Sequence, residues 1–381
     1  MNQTLNDYRN ELHYMNHAIL KLLNKRARVV MDVLALKKSE NIPLHVPQRE
    51  MEMLQDLVDH NLGPFSDETV RHIFKEIFQA SVSLMEERSG VSMRVGRASR
   101  CDLEIRVGDQ VIGAKPVVIA GPCAVESEEQ MDLVARVLSQ MGVRLLRGGA
   151  FKPRSSPYAF QGLGEEGLRI MREAADRYGM QVITEVLDTR MVEKVSEYAD
   201  VLQIGTRNMF NYELLKEVGR KQCPVILKRG FAATIDEFLS SAEYIAMEGN
   251  EQVILCERGI RTYERQTRNT LDISAVPILR RMTHLPVIVD VSHAAGRKDI
   301  LADLSRASLA AGASGIMVEV HPFPAVARSD SQQQMDLEEF AVFIKEVGIE
   351  LMRPVAREYE PGNGLKPIVC PEGLPLTRQG A

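Results

Sequence analysis

Residues 5–38 carry apolar side chains at Leu5, Leu12, Met15, Ile19, Leu22, Leu23, Val30, Val33 and Leu34, with no Gly or Pro among them. That spacing keeps returning to one side of a 3.6-residue helix. At 1.5 Å per residue it predicts a rod about 50 Å long. A helix of that length outruns a small domain and predicts pairing with a second chain. "NIPLHVP" breaks it, and "QREMEMLQDLVDHNL" reads as a second helix. Ser66 is placed to cap a third, which runs through "ETVRHIFKEIFQASVSLMEE" with Asp67 and Glu68 favouring its first turn. Residues 1–88 are therefore expected to form an all-α, three-helix domain.

The pattern then changes. Residues 89–100, "SGVSMRVGRASR", are small, polar and basic and read as a linker. "DLEIRVGDQVIG" alternates about a Gly-Asp turn, as a small hairpin does. Eight short apolar, β-branched runs follow: "PVVIAGPC", "VRLLRGGAF", "QVITEV", "DVLQIGT", "CPVILKRG", "EQVILCERG", "LPVIVDVSH" and "SGIMVEVHP". Helical stretches such as "SEEQMDLVARVLSQMG" and "GEEGLRIMREAADRYG" lie between most of them. Buried parallel strands alternating with helices predict an α/β fold, a (β/α)8 barrel over residues 101–357. A doubly wound sheet is the alternative. Glu126 and Ser127 are expected to do no more than begin the first barrel helix, and the Pro- and Gly-rich residues 358–381 read as a flexible tail.

Composition narrows the class. The chain is 45% hydrophobic and 26% charged, as soluble globular proteins are. Its net charge of -5 offers no attraction to nucleic acid or to a membrane surface. No apolar run approaches the roughly 20 residues that span a bilayer, and the polar "MNQTLNDYRN" lacks a signal-peptide core. Five cysteines without a C-x-x-C pair argue against a disulfide framework. A reduced, cytoplasmic protein is expected.

In such barrels the chemistry sits at the C-terminal ends of the strands. Those ends carry Cys123, Arg147, Lys152, Glu185, Arg207, Lys228, Arg258, His293 and Glu319. Five cations on one mouth imply an anionic substrate, and phosphate and carboxylate are what arginine grips with two hydrogen bonds. The sequence lacks G-x-x-x-x-G-K-[ST], which points to a small phosphorylated metabolite rather than a nucleotide. Cys123, His293 and Glu319, with Asp330 in the following loop, make a mixed S/N/O shell for one divalent ion. Mn, Fe, Co or Zn all suit it, acting as a catalytic Lewis acid.

"AGPCAVES", "LRGGAFKPRSSPYAFQGLG", "QIGTRNMFN", "PVILKRG", "CERGIRTYE", "DVSHAAGR" and "MVEVHP" together resemble 3-deoxy-D-arabino-heptulosonate 7-phosphate (DAHP) synthase of the type Iβ group. The resemblance implies a metal-dependent TIM barrel that condenses phosphoenolpyruvate with D-erythrose 4-phosphate and water, the first step of the shikimate pathway to aromatic amino acids. It assigns Cys123, His293, Glu319 and Asp330 to the metal. Arg147, Lys152, Glu185, Arg207, Lys228 and Arg258 go to phosphoenolpyruvate. Lys152, Pro153, Arg154, Ser155, Ser156 and Asp290 go to the aldose phosphate, with Lys152 as proton donor. The sister synthase making 3-deoxy-D-manno-octulosonate 8-phosphate from arabinose 5-phosphate typically reads Ala-Asn-Arg after that lysine and often replaces the cysteine by Asn. "KPRSS" and Cys123 favour the four-carbon sugar. A Schiff-base aldolase using Lys152 or Lys228 is a remoter alternative.

The first three helices resemble the all-α chorismate mutases, which are intertwined dimers. Arg9, Arg26, Lys37, Arg49, Glu50 and Ser81 fall in that pattern. Arg26 and Lys37, eleven residues apart, share one helix face, and cations on an otherwise apolar side are costly unless they bind something. The resemblance implies the partner's Arg9 together with Arg26 on the chorismate carboxylates, Lys37 at the ether oxygen and Glu50 on the hydroxyl. Two positions depart from it: Met85 stands where the family carries Gln, and Val46 where an acidic residue is common. The lost donor at the ether oxygen would slow the rearrangement about 10²-fold. That leaves open a sensor that binds chorismate or prephenate and shuts down the barrel. A homo-oligomer is expected, a dimer through the helices and a tetramer overall.

Overall fold

The computed structural model describes residues 4–40, 47–89, 93–97, 100–153 and 158–351. The chain divides into two compact units, Met1–Met93 and Arg94–Ala381.

The first unit holds α1 (Leu5–Glu40), α2 (Pro47–Asp59) and α3 (Asp67–Ser89). Local chemistry starts them where the sequence predicts. Thr4 and Asp7 exchange hydrogen bonds across the first turn of α1, and the Ser66 hydroxyl accepts from the Thr69 N–H at 3.2 Å. Leu34, Leu54, Phe78 and Met85 are buried among the three helices. Most of the apolar stripe on α1 is not: Leu12, Ile19 and Leu22 are 59, 54 and 65% exposed.

The second unit opens with a hairpin, β1 (Ile105–Val107) against β2 (Gln110–Ile112). The chain then alternates β3 (Val117–Gly121), α4 (Glu128–Gln140), β4 (Leu145–Arg147), α5 (Glu165–Tyr178), β5 (Gln181–Glu185), α6 (Val192–Ser196), β6 (Val201–Ile204), α7 (Tyr212–Gly219) and β7 (Val225–Lys228). It continues through α8 (Ile235–Met247), β8 (Val253–Glu257), α9 (Ala275–Met282), β9 (Val287–Asp290), α10 (Val291–Ala295), α11 (Leu301–Ala310), β10 (Gly315–Glu319) and α12 (Leu337–Val347). The strands from β3 to β10 are parallel, and β10 pairs with β3 to close the ring. That closure selects the (β/α)8 barrel over a doubly wound sheet.

Ile119, Leu145, Ile183, Val201, Ile226, Ile254, Ile288 and Met317 fill the barrel interior, each at most 1% exposed. Ile105, Val107 and Ile112 of the hairpin join the same cluster and stopper the N-terminal end. Each such side chain contributes roughly 1.5–3 kcal/mol of burial. The outer helices are capped in register: Ser127 accepts from the Gln130 N–H, and Thr234–Glu237 and Asp336–Glu339 form capping boxes on α8 and α12.

Residues 94–97, read from sequence as part of the linker, are held on the barrel. Val95 is 1% exposed, and Gly96 forms a bridge with Thr283. Among the described residues no helix is long and apolar enough to cross a membrane.

Candidate active site

Strand order brings the predicted charges to one mouth. Arg147, Glu185, Lys228, Asp290 and Glu319 are the last residues of β4, β5, β7, β9 and β10. Cys123 follows β3, Arg207 follows β6, Arg258 follows β8, and His293 sits in α10 immediately beyond β9. Two glycines let these ends crowd together. A Cβ on Gly121 would lie 2.0 Å from the Arg147 carbonyl oxygen, and one on Gly205 would lie 1.9 Å from Glu185 Oε1.

One side of the mouth is a cluster of metal-capable donors. Ligand atoms of Cys123, Glu319 and Asp330 all lie within 4.8 Å of one another. His293 Nε2 stands 3.5 Å from Glu319 Oε1 and 3.7 Å from Asp330 Oδ2. Its Nδ1 meets Asp290 Oδ2 at 2.7 Å, an arrangement that turns Nε2 toward the carboxylates. Burial lowers the His293 pKa, against the opposing pull of Asp290 and Glu319. Burial, with Glu319 beside it, pushes the Cys123 thiol up to about 11. A metal must therefore displace a proton to bind there. Against the upward push of burial, His293 and Arg268 hold Asp330 down to about 2. Asp330 also has φ 51°, alone among the described non-glycine residues in the left-handed region, where Asp is among the few side chains tolerated. One soft sulfur, one imidazole and two carboxylates suit a divalent transition ion.

The other side is a cation-lined cavity walled by Arg147, Lys152, Arg207, Lys228, Arg258 and Arg268, with Pro153 and Glu185 also on its surface. Arg147 is 4% exposed and donates to Glu319 Oε1 at 2.7 Å and to the Pro122 carbonyl at 2.9 Å. Lys152 Nζ donates to the Cys123 carbonyl at 2.9 Å, which puts its ammonium where the two halves of the site meet. Lys228 is paired with Asp290, which is wholly buried. Burial would raise the Asp290 pKa, but His293 and Lys228 hold it well below the usual carboxylate range. A second cavity, about 370 Å³, lies at the opposite end beside the hairpin and the start of β3, and none of the predicted site residues lines it.

Arg154, Ser155, Ser156, Val46 and residues 358–381 lie outside the described residues, as does the Glu50 side chain. In the helical unit, Arg26 donates to the Ser81 hydroxyl, and its guanidinium stands over the Phe78 ring at 5.1 Å. Lys37 is half-buried, and Arg49 is exposed beside Glu52 at 3.6 Å. Arg9 is exposed and lies about 25 Å along α1 from Arg26, too far for the same chain to bring both to one small ligand. Met85 is 7% exposed.

Sequence reasoning missed four residues that hold the site together. Arg268 reaches Asp330 at 3.2 Å and Gln333 at 2.8 Å, and Gln333 donates to Glu319 Oε2. Gln334 accepts from the Cys123 N–H at 2.9 Å. Glu126 does more than start a helix: Oε1 accepts from the Arg328 N–H at 2.8 Å, and Oε2 lies 3.5 Å from His321 Nε2. It thereby ties the loop after Cys123 to the loop that carries Asp330. Ser127 caps α4 as expected. "SQQQ" close behind Asp330 was the available signal for the two glutamines.

Comparison with known proteins adds names. Residues 93–353 match the model of the DAHP synthetase I family, and residues 8–98 match that of chorismate mutase type II. A phospho-2-dehydro-3-deoxyheptonate aldolase of Thermotoga maritima is 57% identical over 247 residues, covering 65% of this chain and 73% of the relative. A 2-dehydro-3-deoxyphosphooctonate aldolase of Fusobacterium nucleatum is 30% identical over 268 residues, covering 65% and 95%. The crystal structure of the Thermotoga maritima aldolase (DAHP synthase) superposes with a TM-score of 0.66 at 53% identity, covering 69% of this chain and 79% of the other.

Proposed function

For a chain that belongs to the DAHP synthetase I family, we propose a metal-dependent synthase whose helical unit both rearranges chorismate and senses the pathway's products. The barrel is a DAHP synthase domain, and it is fused to a chorismate mutase domain. It joins phosphoenolpyruvate, D-erythrose 4-phosphate and water into DAHP and phosphate.

The observation that carries the reading is the union of two halves in one mouth: a cluster of Cys123, Glu319 and Asp330 with His293 Nε2 beside both carboxylates, and a cation-lined cavity, bridged by Lys152. Cys123, His293, Glu319 and Asp330 would hold the divalent ion, which when bound supplies Lewis acidity at the aldehyde oxygen. Arg147, Lys152, Arg207, Lys228 and Arg258 hold the phosphate and carboxylate of phosphoenolpyruvate. The segment from Pro153 to Ser156, with Asp290, receives the aldose phosphate. C3 of phosphoenolpyruvate then forms the new carbon–carbon bond to the aldehyde carbon, and Lys152 gives a proton to the resulting oxygen. Water adds at C2, and the phosphate leaves with its bridging oxygen. The 57% identity to the heptonate aldolase, against 30% to the octonate aldolase, favours the four-carbon sugar.

Phosphate release is therefore expected with erythrose 4-phosphate, at least about tenfold less with arabinose 5-phosphate, and none after chelation until a divalent ion is restored. Full turnover in chelator, or preference for the five-carbon sugar, would reject the assignment.

In the helical unit, Arg26, Lys37, Arg49, Glu50 and Ser81 bind chorismate, with the partner's Arg9 completing the site in a dimer. The exposed apolar stripe of α1 supports that dimer; a tetramer follows if the barrels also associate. We assign the protein to the cytoplasm. Met85 offers no hydrogen bond to the ether oxygen, so binding is retained better than turnover. Prephenate formation should be slow, and prephenate should inhibit the synthase. Rapid mutase turnover without inhibition would remove the sensing role.

A further inference from the structure

Three guanidinium groups surround one phenyl ring in the cavity. The Cζ atoms of Arg261, Arg258 and Arg207 lie 4.5, 5.0 and 5.8 Å from the centroid of Phe231. Phe231 stands three residues beyond Lys228 and lines the cavity with Arg207 and Arg258. Its carbonyl accepts from the Arg261 N–H at 2.8 Å. Among the described residues no carboxylate pairs with any of the three guanidiniums.

Arg229 shows the alternative. Its guanidinium lies 2.9 Å from Glu257 and 2.8 Å from Asp272, so its charge is already met and cannot serve an anion. A carboxylate at position 231 would neutralise the cavity's arginines in the same way and compete with an anionic substrate. An aliphatic side chain would leave three like charges to repel one another. The phenyl ring does neither. Its negative face attracts cations without adding net charge, and it takes none of their N–H donors.

We infer that Phe231 is a positioning residue that gathers Arg207, Arg258 and Arg261 into one preassembled anion-binding group, with Arg261 as its outer member. The inference rests on reading this cavity as the phosphoenolpyruvate site. Arg258 is 3% exposed whereas Arg207 and Arg261 are exposed, so the group grades from solvent into the barrel. An incoming phosphate meets the outer cations before it reaches the buried one.

The test is steady-state kinetics on the full-length, metal-loaded protein. Phe231→Leu should raise KM for phosphoenolpyruvate about tenfold. Its kcat and its KM for erythrose 4-phosphate should stay within about twofold, and its thermal midpoint should match the parent's. Phe231→Tyr, which keeps the ring face, should stay within about threefold on every parameter. Combined with Arg261→Gln, the leucine variant should lose less than the product of the two single effects, because both break one contact. An unchanged KM for phosphoenolpyruvate in Phe231→Leu overturns the inference. So does an equal loss in kcat and both KM values, or a tyrosine variant as poor as the leucine one. Arg258→Gln separates this from the underlying assignment. If it raises KM while Phe231→Leu does not, only the positioning role falls. If it too leaves KM unchanged, the cavity is not the phosphoenolpyruvate site and both fall.

Discussion

Cys123→Ser is expected to fold as the parent does and to lose synthase turnover by about 10²-fold or more, since even supporting residues of metal sites cost about 10–100-fold. The change is nearly isosteric at a position 1% exposed, where the side chain touches Ser329 Oγ at 3.1 Å and Asp330 Oδ2 at 3.5 Å. Packing should hardly notice it. The chemistry should, because a thiol already pushed up to about 11 by burial can still lose its proton to an arriving ion, whereas a serine hydroxyl resists that loss far more strongly. Two measurements on one preparation decide the matter: bound metal after dialysis, and phosphate release at saturating substrates. The helical unit supplies an internal control, since its prephenate formation should be untouched. A serine variant that keeps both metal and turnover would exclude Cys123 from the ligand set. If Cys123 is a ligand, the same proton should make metal affinity in the parent rise with pH across the neutral range.

Asp290→Asn carries the largest expected cost in stability. The carboxylate is wholly buried, is paired with Lys228, and meets His293 Nδ1 at 2.7 Å. An amide fills the same space but leaves the lysine ammonium buried without its counter-charge. Breaking such a pair costs about 3–5 kcal/mol, read as a shift of the barrel's urea midpoint. The pH dependence has a definite sign. Asp290 titrates well below the ordinary carboxylate range in the folded protein, and near 3.9 when unfolded. Its contribution is therefore present above the unfolded value and is lost only as pH falls through the folded one. The gap between parent and variant should be flat from about pH 6 to 8 and should narrow in acid. A gap under about 1 kcal/mol at pH 7 would mean that the lysine does not depend on Asp290.

Much of the barrel was legible because its strands are buried on both faces and so spell short β-branched runs, and because such barrels collect their chemistry where those runs end. That rule alone found Cys123, Arg147, Glu185, Lys228 and Glu319. It could not find Arg268, Gln333 or Gln334, whose value lies in contacts with Asp330, Glu319 and Cys123 that only the closed barrel creates. Phe231 was silent for another reason: a lone aromatic after a strand looks like packing until three guanidiniums are seen around it. Residues 94–97 misled because a small, basic string has the composition of a linker, while the burial of Val95 against the barrel is a tertiary fact. For the helices, periodicity revealed the rods and the length of α1 called for a second chain, but the pattern alone did not say which apolar positions of α1 would stay exposed.

The closing of the ring between β10 and β3 also fixes when the site can exist. Cys123 and Asp330 are separated by 207 residues and become neighbours only once the last strand has docked on the first. At the ribosome's pace of about 5–20 residues per second, the first ligand waits on the order of 10–40 s for the last. A growing chain therefore cannot collect the full set of donors, and neither can a prematurely ended one. On the proposed ligand set, metal uptake would mark finished synthesis, open only to chains whose two ends of the barrel have met.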